Sequence, residues 1–202
     1  MFSMKLRQLL CITTLSSLSA IAMAQPVPEA RIKATTEDAL ALITRTSDRQ
    51  RLAEFAEIRV VPHFDFRRMT QLAAGSAWAQ ASPEQQNRLE QEFRVLLLRS
   101  YTAALSATKP QQASVQVLPT QVPDNTEEIL VKTRVSAAGD KRPVAIDYAM
   151  HRVDSEWKVF DVSVENVSLV TNYRSTFATE MGRGGVDGLL RALREKNQRN
   201  AS

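Results

Sequence analysis

The chain has 202 residues, 44% of them hydrophobic, and 26 Lys and Arg against 22 Asp and Glu give a net charge of +4. That length suits one domain with a real core, and the interspersed charges form no basic stripe of the kind that tracks nucleic acid. One cysteine and two histidines are too few for a disulfide framework or a thiolate metal site.

Residues 1–24 read as an export signal. Lys5 and Arg7 form a short positive region, 9–21 is apolar or small and uncharged, and Ala22-Met23-Ala24 gives an A-x-A cleavage pattern. The apolar run is too short to span a bilayer. Cys11 lies near the start of that run, whereas a lipid-anchored cysteine would follow it. The mature chain is then Gln25 to Ser202, one domain without cysteine. Loss of Lys5 and Arg7 lowers its net charge from +4 to +2.

The first half predicts helices. Pro28 to about Thr46 has good helix formers, and Leu52, Phe55, Ile58, Val60 and Val61 continue a helical pattern. Pro62 interrupts it by removing a hydrogen bond and crowding the preceding turn. Asp65 is placed to cap a short helix over 66–74, with Gly75 as its stop. Ser82-Pro83-Glu84-Gln85 then combines a capping serine, a proline at the first helical position and a glutamine three residues on. The helix it starts runs to about Ala107 and spans roughly 35 Å. Leu89, Phe93, Leu96, Leu97, Tyr101, Ala104 and Leu105 give it one broad apolar face.

After Pro110 the period becomes two. Val115 and Val117 begin a strand; Ile129, Val131, Thr133 and Val135 mark a second; Gly139-Asp140 turns. Val144, Ile146, Tyr148 and Met150 line one face of a third strand, with Ala145, Asp147, Ala149 and His151 on the other. Asp154-Ser155-Glu156 leads to a fourth strand, 157–164. Two helices close the chain, 168–181 and 186–196, separated by Gly184-Gly185. The order is helices, antiparallel meander, helices: an α+β domain in which a bent sheet wrapped by helices forms a cone.

No catalytic pattern stands out. His63 and Asp65 are a candidate ligand pair without a third partner nearby, and a capped helical break explains them better. His151 alternates with Met150 and is expected at solvent or an edge. Gly182-Arg183-Gly184-Gly185 lacks the strand-to-helix context of a phosphate loop and reads as a helix end and turn. Asp147 and Asp161 are a candidate carboxylate pair on adjacent strands, with the solvent face of a sheet as the simpler account.

Five stretches occur together and in register: VVPHFDFRRM, ASPEQQNRLEQEFRVLLLRSYTAAL, PVAIDY, WKVFDVSVENVSLVTNYRSTF and GVDGLLRAL. Over about Ala30 to Lys196 the chain resembles the MlaC family, the periplasmic phospholipid carriers also described as toluene-tolerance proteins. The resemblance implies a strongly curved antiparallel or mixed sheet of four to five strands wrapped by N- and C-terminal helices, NTF2-like or cystatin-like, enclosing an apolar pocket. It implies buried acyl tails with a headgroup near solvent, and neither cofactor nor enzymatic step. The implied partners are an outer-membrane lipoprotein–porin complex and the inner-membrane Mla ABC transporter complex. ENVSLV carries Asn166 where the family commonly has glycine; asparagine tolerates the left-handed backbone such a turn needs.

Two acyl tails of about thirty carbons would cost on the order of 25 kcal/mol exposed to water, so a carrier must shield nearly all of them. Candidate liners from the helical half are Met69, Leu72, Trp78, Phe93, Leu97 and Tyr101. From the strands come Val131, Val144, Ile146, Tyr148, Met150, Phe160, Val162 and Val167, and from the closing helix Leu169, Tyr173 and Phe177. Tyr101, Val144, Tyr148 and Val167 are preferred among them. Arg174, beside Tyr173, is a candidate for the phosphate at the mouth, with a surface ion pair as the alternative. Periodicity does not distinguish an empty cone from a filled one, and ordinary core remains the competing account of each. Arg67, Arg68 and Lys132 are candidates for partner surfaces. A pocket for another apolar ligand such as a hopanoid or solvent molecule, an enzyme on an NTF2-like scaffold, and a structural adaptor between complexes remain alternatives.

Overall fold

The structure is a computed structural model that describes residues 28–107, 112–120, 126–139 and 141–200. The export signal, its cleavage site, Cys11 and Asp140 lie outside the described residues. Helix α1 (Pro28–Ile43) ends three residues before the expected limit. Asp48 then opens α2 (Arg49–Phe55), its carboxylate accepting from the amides of Gln50 and Arg51 at 2.8 and 3.3 Å. A π turn (Ala56–Val60) and a 3-10 turn (Val61–His63) carry the chain through Pro62, where the regular helix fails as expected.

Asp65 caps α3 (Phe66–Ala74), its Oδ1 accepting from the Arg68 amide at 2.8 Å. Gly75 ends α3 at φ 57°, ψ −130°, a backbone that glycine alone adopts without strain. A short helix the sequence pattern did not suggest, α4 (Ser76–Gln80), follows. The expected capping box starts α5 (Pro83–Ala107): Gln85 N donates to Ser82 Oγ at 3.2 Å and Ser82 N to Gln85 Oε1 at 3.0 Å.

The sheet is β1 (Ser114–Val117), β2 (Glu128–Ser136), β3 (Val144–Val153), β4 (Glu156–Val164) and β5 (Val167–Ser168). They lie in sequence order with every neighbour antiparallel. Glu165 and Asn166 join β4 to β5 at φ 48° and 65°, the left-handed pair a two-residue hairpin needs. A bulge interrupts β3–β4: Ala149 pairs with Asp161 but Met150 with Val159, leaving Phe160 as the extra residue. The two expected closing helices lie within Leu169–Arg199 (α6) and are separated, as expected, by non-helical backbone at Gly184 and Gly185. Only Gly185, at φ 59°, requires glycine there. Ser168 caps its start by accepting from the Thr171 amide at 3.0 Å.

Two apolar clusters result. The larger fills the space between α3, α4, α5 and α6 and includes Phe66, Met69, Trp78, Leu89, Phe93, Phe177 and Leu189. The smaller joins Ile32 of α1 to Ile129, Val131, Met150, Trp157 and Val159 of the sheet. Phe64 packs against both. Its residue forms a parallel bridge to Val159, and the Asp65 amide donates to Val159 O at 2.8 Å. The PHFDF stretch therefore straps the start of α3 onto the bulge in β4.

His151 is not at solvent, contrary to the alternation argument. Its side chain is only 13% exposed. Nε2 lies 2.9 Å from Asp65 Oδ2 and Nδ1 2.7 Å from Arg68 Nη1, and the ring meets Phe160 edge-on at 5.3 Å. A guanidinium only donates, so Nδ1 accepts and the Nε2 proton points at the carboxylate. Arg68 also lies 4.1 Å over the Phe160 ring and pairs with Glu128. It is thus part of the frame rather than a free cation for a partner. Arg67 likewise reaches Asn87 and Gln86 at 3.1 and 3.2 Å, while Lys132 is exposed on β2.

Candidate functional site

One face of α1 is built from Arg31, Ile32, Thr35, Thr36, Ala39, Leu42 and Ile43, residues spaced three or four apart. It does not pack down onto the sheet along its length. Between them lies a cavity of about 330 Å³, within the range of small-molecule sites. Leu52, Phe55, Ala56 and Val60 close one side, and the PHFDF strap contributes His63, Phe64 and Phe66 beside Met69. Leu97, Leu98, Tyr101, Thr102 and Leu105 come from the last turns of α5, and Leu169 from the start of α6.

The sheet supplies Ile146 and Tyr148 from β3 and Val159, Val162 and Val164 from β4. Cross-strand pairing sets these side by side, Tyr148 opposite Val162 and Ile146 opposite Val164. The bulge decides which side of Phe160 contributes. Strict alternation back from Val164 and Val162 would put Phe160 in the wall; the extra residue puts Val159 there instead. Phe160 turns to His151 and the filled core.

From Val159 to Val164 the wall runs roughly 17 Å at strand rise, and from Arg31 to Ile43 roughly 18 Å along the helix. One leaflet of a bilayer's hydrocarbon is about 15 Å deep, half of its thirty. The length thus suits an acyl tail as it lies in a leaflet. Tyr101, Leu105 and Val164 line the cavity and are also 45%, 39% and 42% exposed, so the wall reaches solvent at that end.

Polar groups in the lining are few. Burial raises the pKa of Tyr148, and its interaction with Thr36 offsets part of that rise. Burial, with smaller contributions from Tyr173 and Asp161, pushes Tyr101 up to about 12. Thr102 Oγ1 donates to Leu98 O at 2.6 Å and is satisfied within its own helix. His63 lies 3.2 Å from Arg31, and burial first, then Arg31 and Lys158, hold its pKa below the ordinary value.

Of the sequence-derived liners, the structure brings Met69, Leu97, Tyr101, Ile146, Tyr148, Val162 and Leu169 to the cavity wall. The others lie elsewhere. Trp78, Phe93 and Phe177 are inside the filled core, and Leu72 and Tyr173 pack against it. Val131 and Met150 are fully buried beneath the sheet's own cluster. Val167 is 62% exposed beyond the rim, and Val144, half-buried near the start of β3, does not reach the wall. Arg174 is a clamp between helices: Nε and Nη2 donate to Leu72 O at 3.1 and 2.9 Å.

The contribution of α1 and α2 escaped sequence reasoning, although the three-four spacing of Ile32, Thr35, Thr36, Ala39, Leu42 and Ile43 was visible. The helical spacing marked a face; nothing local marked that face as one side of a void.

The candidate carboxylate pair, Asp147 and Asp161, does not enter the cavity wall. Asp161 accepts from the Val162 and Val170 amides at 2.8 and 3.1 Å and from Ser168 Oγ at 2.5 Å, stapling β4 to the start of α6. It is a connector rather than a solvated surface group. Asp147 is 14% exposed, and its Oδ1 lies 3.7 Å from Arg134 without a hydrogen bond. His63 and Asp65 point to different partners, the first to Arg31 and the second to the α3 amide and His151.

The family model described as MlaC protein matches residues 33–195. The toluene tolerance protein ttg2D of Pseudomonas putida is 29% identical over 107 residues, covering 53% of this chain and 48% of that protein. The match thus spans about half the length of the curated relative. A solved structure of a phospholipid-binding protein from Ralstonia solanacearum, in complex with a phospholipid, has 33% sequence identity and a TM-score of 0.77, covering 86% of this chain and 98% of that one. With the family model spanning the helices, the sheet and nearly all of α6, this chain belongs to the MlaC family.

Proposed function

We propose that this protein is a soluble periplasmic phospholipid carrier. It moves lipid between an outer-membrane lipoprotein–porin complex and an inner-membrane ABC transporter complex, and so maintains outer-membrane lipid asymmetry. The observation that carries the reading is the apolar cavity between α1 and the sheet, long enough for an acyl tail, in a chain whose structural relative was solved with a phospholipid. The carrier itself performs no chemical step, a reading supported by its membership of the MlaC family and by its phospholipid-bound structural relative. No described helix is long and apolar enough to cross a membrane. Export rests on the N-terminal signal, with cleavage after Ala24.

Organic extraction of the purified mature protein, followed by lipid mass spectrometry and phosphate quantitation, tests this. Stoichiometric diacyl phospholipid is expected, and it also counts the tails housed. A lipid-free protein that takes up no phospholipid from vesicles sinks the proposal. An intact mass that begins at Gln25 checks the export step.

A further inference from the structure

Exposure changes steeply along the cavity. At one end Tyr101, Leu105 and Val164 are 45%, 39% and 42% exposed. At the other, Val159, Met69, Leu97 and Ile32 line the same space and are 0%, 1%, 5% and 6% exposed. The cavity therefore has a mouth and a floor. The floor is the upper surface of both packed clusters: Met69 and Leu97 belong to the larger, Val159 and Ile32 to the smaller. Phe64 packs against both and stacks on Phe66 at 5.8 Å, which closes the join between them. One turn behind Leu97 on α5, Phe93 is wedged against Tyr173 and Phe177 at 5.0 and 5.1 Å. An interior packed in this way yields little when pushed. Beside the floor the apolar lining gives way to His63 and Arg31, 3.2 Å apart, where a further methylene meets polar groups instead of apolar cover.

We propose that this floor is a stop that limits the length of acyl tail the protein covers, and that Leu97 sets its height. This rests on the carrier reading above, with tails inward and the headgroup at the mouth. Leu97 lies about 12 Å along α5 from Leu105 at the mouth, so a change in its side chain alters the depth of the cavity directly. A tail in a bilayer ends in a fluid midplane that accepts any length. A tail in this cavity ends against packed core. Each methylene beyond the stop pushes another past Tyr101 and Leu105 into water, and lowers the preference for cavity over bilayer about fourfold. Tails shorter than the stop are covered in both places and carry no such penalty. Selection is then by tail length, and loading holds level up to a limiting length and falls steeply beyond it.

The test loads delipidated mature protein from vesicles of mixed phosphatidylglycerols. Their monounsaturated tails lengthen in even steps on both sides of the length that fills a leaflet about 15 Å deep. Bound lipid is extracted, and its composition is divided by that of the vesicles. In the unmodified protein this ratio is expected to break downward, about fourfold per methylene of each tail. Leu97→Ala is expected to move the break to longer tails and Leu97→Phe to shorter ones. All proteins draw on the same vesicles, so differences between donor bilayers cancel. A merely structural role for Leu97 would lower total lipid in both variants and move the break in neither. Should either variant not fold, Val159→Ala deepens the same floor from the sheet side, and the same shift to longer tails is expected. A series without a break, or a break that stays in place in the folded variants, overturns the inference and leaves the carrier reading intact. Failure of the unmodified protein to load any member of the series overturns the carrier reading itself.

Discussion

Helix α5 serves two interiors that differ in one respect. At its middle, Phe93 is met edge-on by Tyr173 and Phe177 at 5.0 and 5.1 Å, and Leu89 and Leu96 are as fully buried. One to three turns on, Tyr101 and Leu105 face the cavity. The apolar stripe along the helix is continuous; the opposing element changes. Aromatic rings from α6 fill the first interior, whereas α1 sets Thr35, Thr36 and Ala39 against the second. These small side chains leave a space beside Ile32, which packs on the sheet, that close packing would otherwise remove.

The contrast breaks most visibly at Phe93. Phe93→Ala is expected to lower stability by about 3–5 kcal/mol, because it opens a hole in a filled core. A urea titration measures it; a loss below about 1 kcal/mol would mean that this core is as loose as the cavity.

Asp65 lies on the seam between the two interiors. Asp65→Ala removes the α3 cap and leaves the His151 ring without its carboxylate, and should cost about 2 kcal/mol. If the same titration shows no change, the strap is ornamental.

Ala39→Phe sharpens the comparison from the hollow side. The added ring enters existing space, so stability should change by about 1 kcal/mol or less, while phospholipid carried per protein falls at least tenfold. A large destabilisation with lipid retained would place the void elsewhere.

The smallest effects depend on pH. Burial and Arg31 hold the folded titration of His63 below 6.5, so the unfolded chain takes up its proton first as pH falls. The contribution of neutral His63 is whole above pH 6.5 and declines below it. For Tyr101, held neutral to about 12 against an ordinary 10, the contribution is whole below pH 10 and declines as pH rises toward 12. Urea midpoints across pH should lose the acid-side slope in His63→Gln and the alkaline slope in Tyr101→Phe.

Local chemistry was legible in the sequence. The Ser82–Gln85 box, the Asp65 cap and the break at Pro62 each depend on residues within a few positions, and each stands where the pattern put it. What pairs distant segments was not. His151 alternates like a surface residue, yet its partners come from a helix more than eighty positions earlier. Phe160 follows a period that one bulged residue resets. Trp78, Phe93 and Phe177 have the size and polarity of cavity liners and sit in solid core, because volume is set by both sides of an interior and sequence shows one side at a time.

The ends of the sheet have a colloidal consequence. Its outermost strands are β1, four residues, and β5, two residues. Past the end of β1, strand β2 continues with Leu130 exposed between the charged Glu128 and Lys132. A neighbouring molecule seeking to extend the ladder meets either a stub too short to hold a register or a charged margin. An open, strongly bent sheet with a hollow face is thereby poorly suited to seed fibrils, even when crowded and empty.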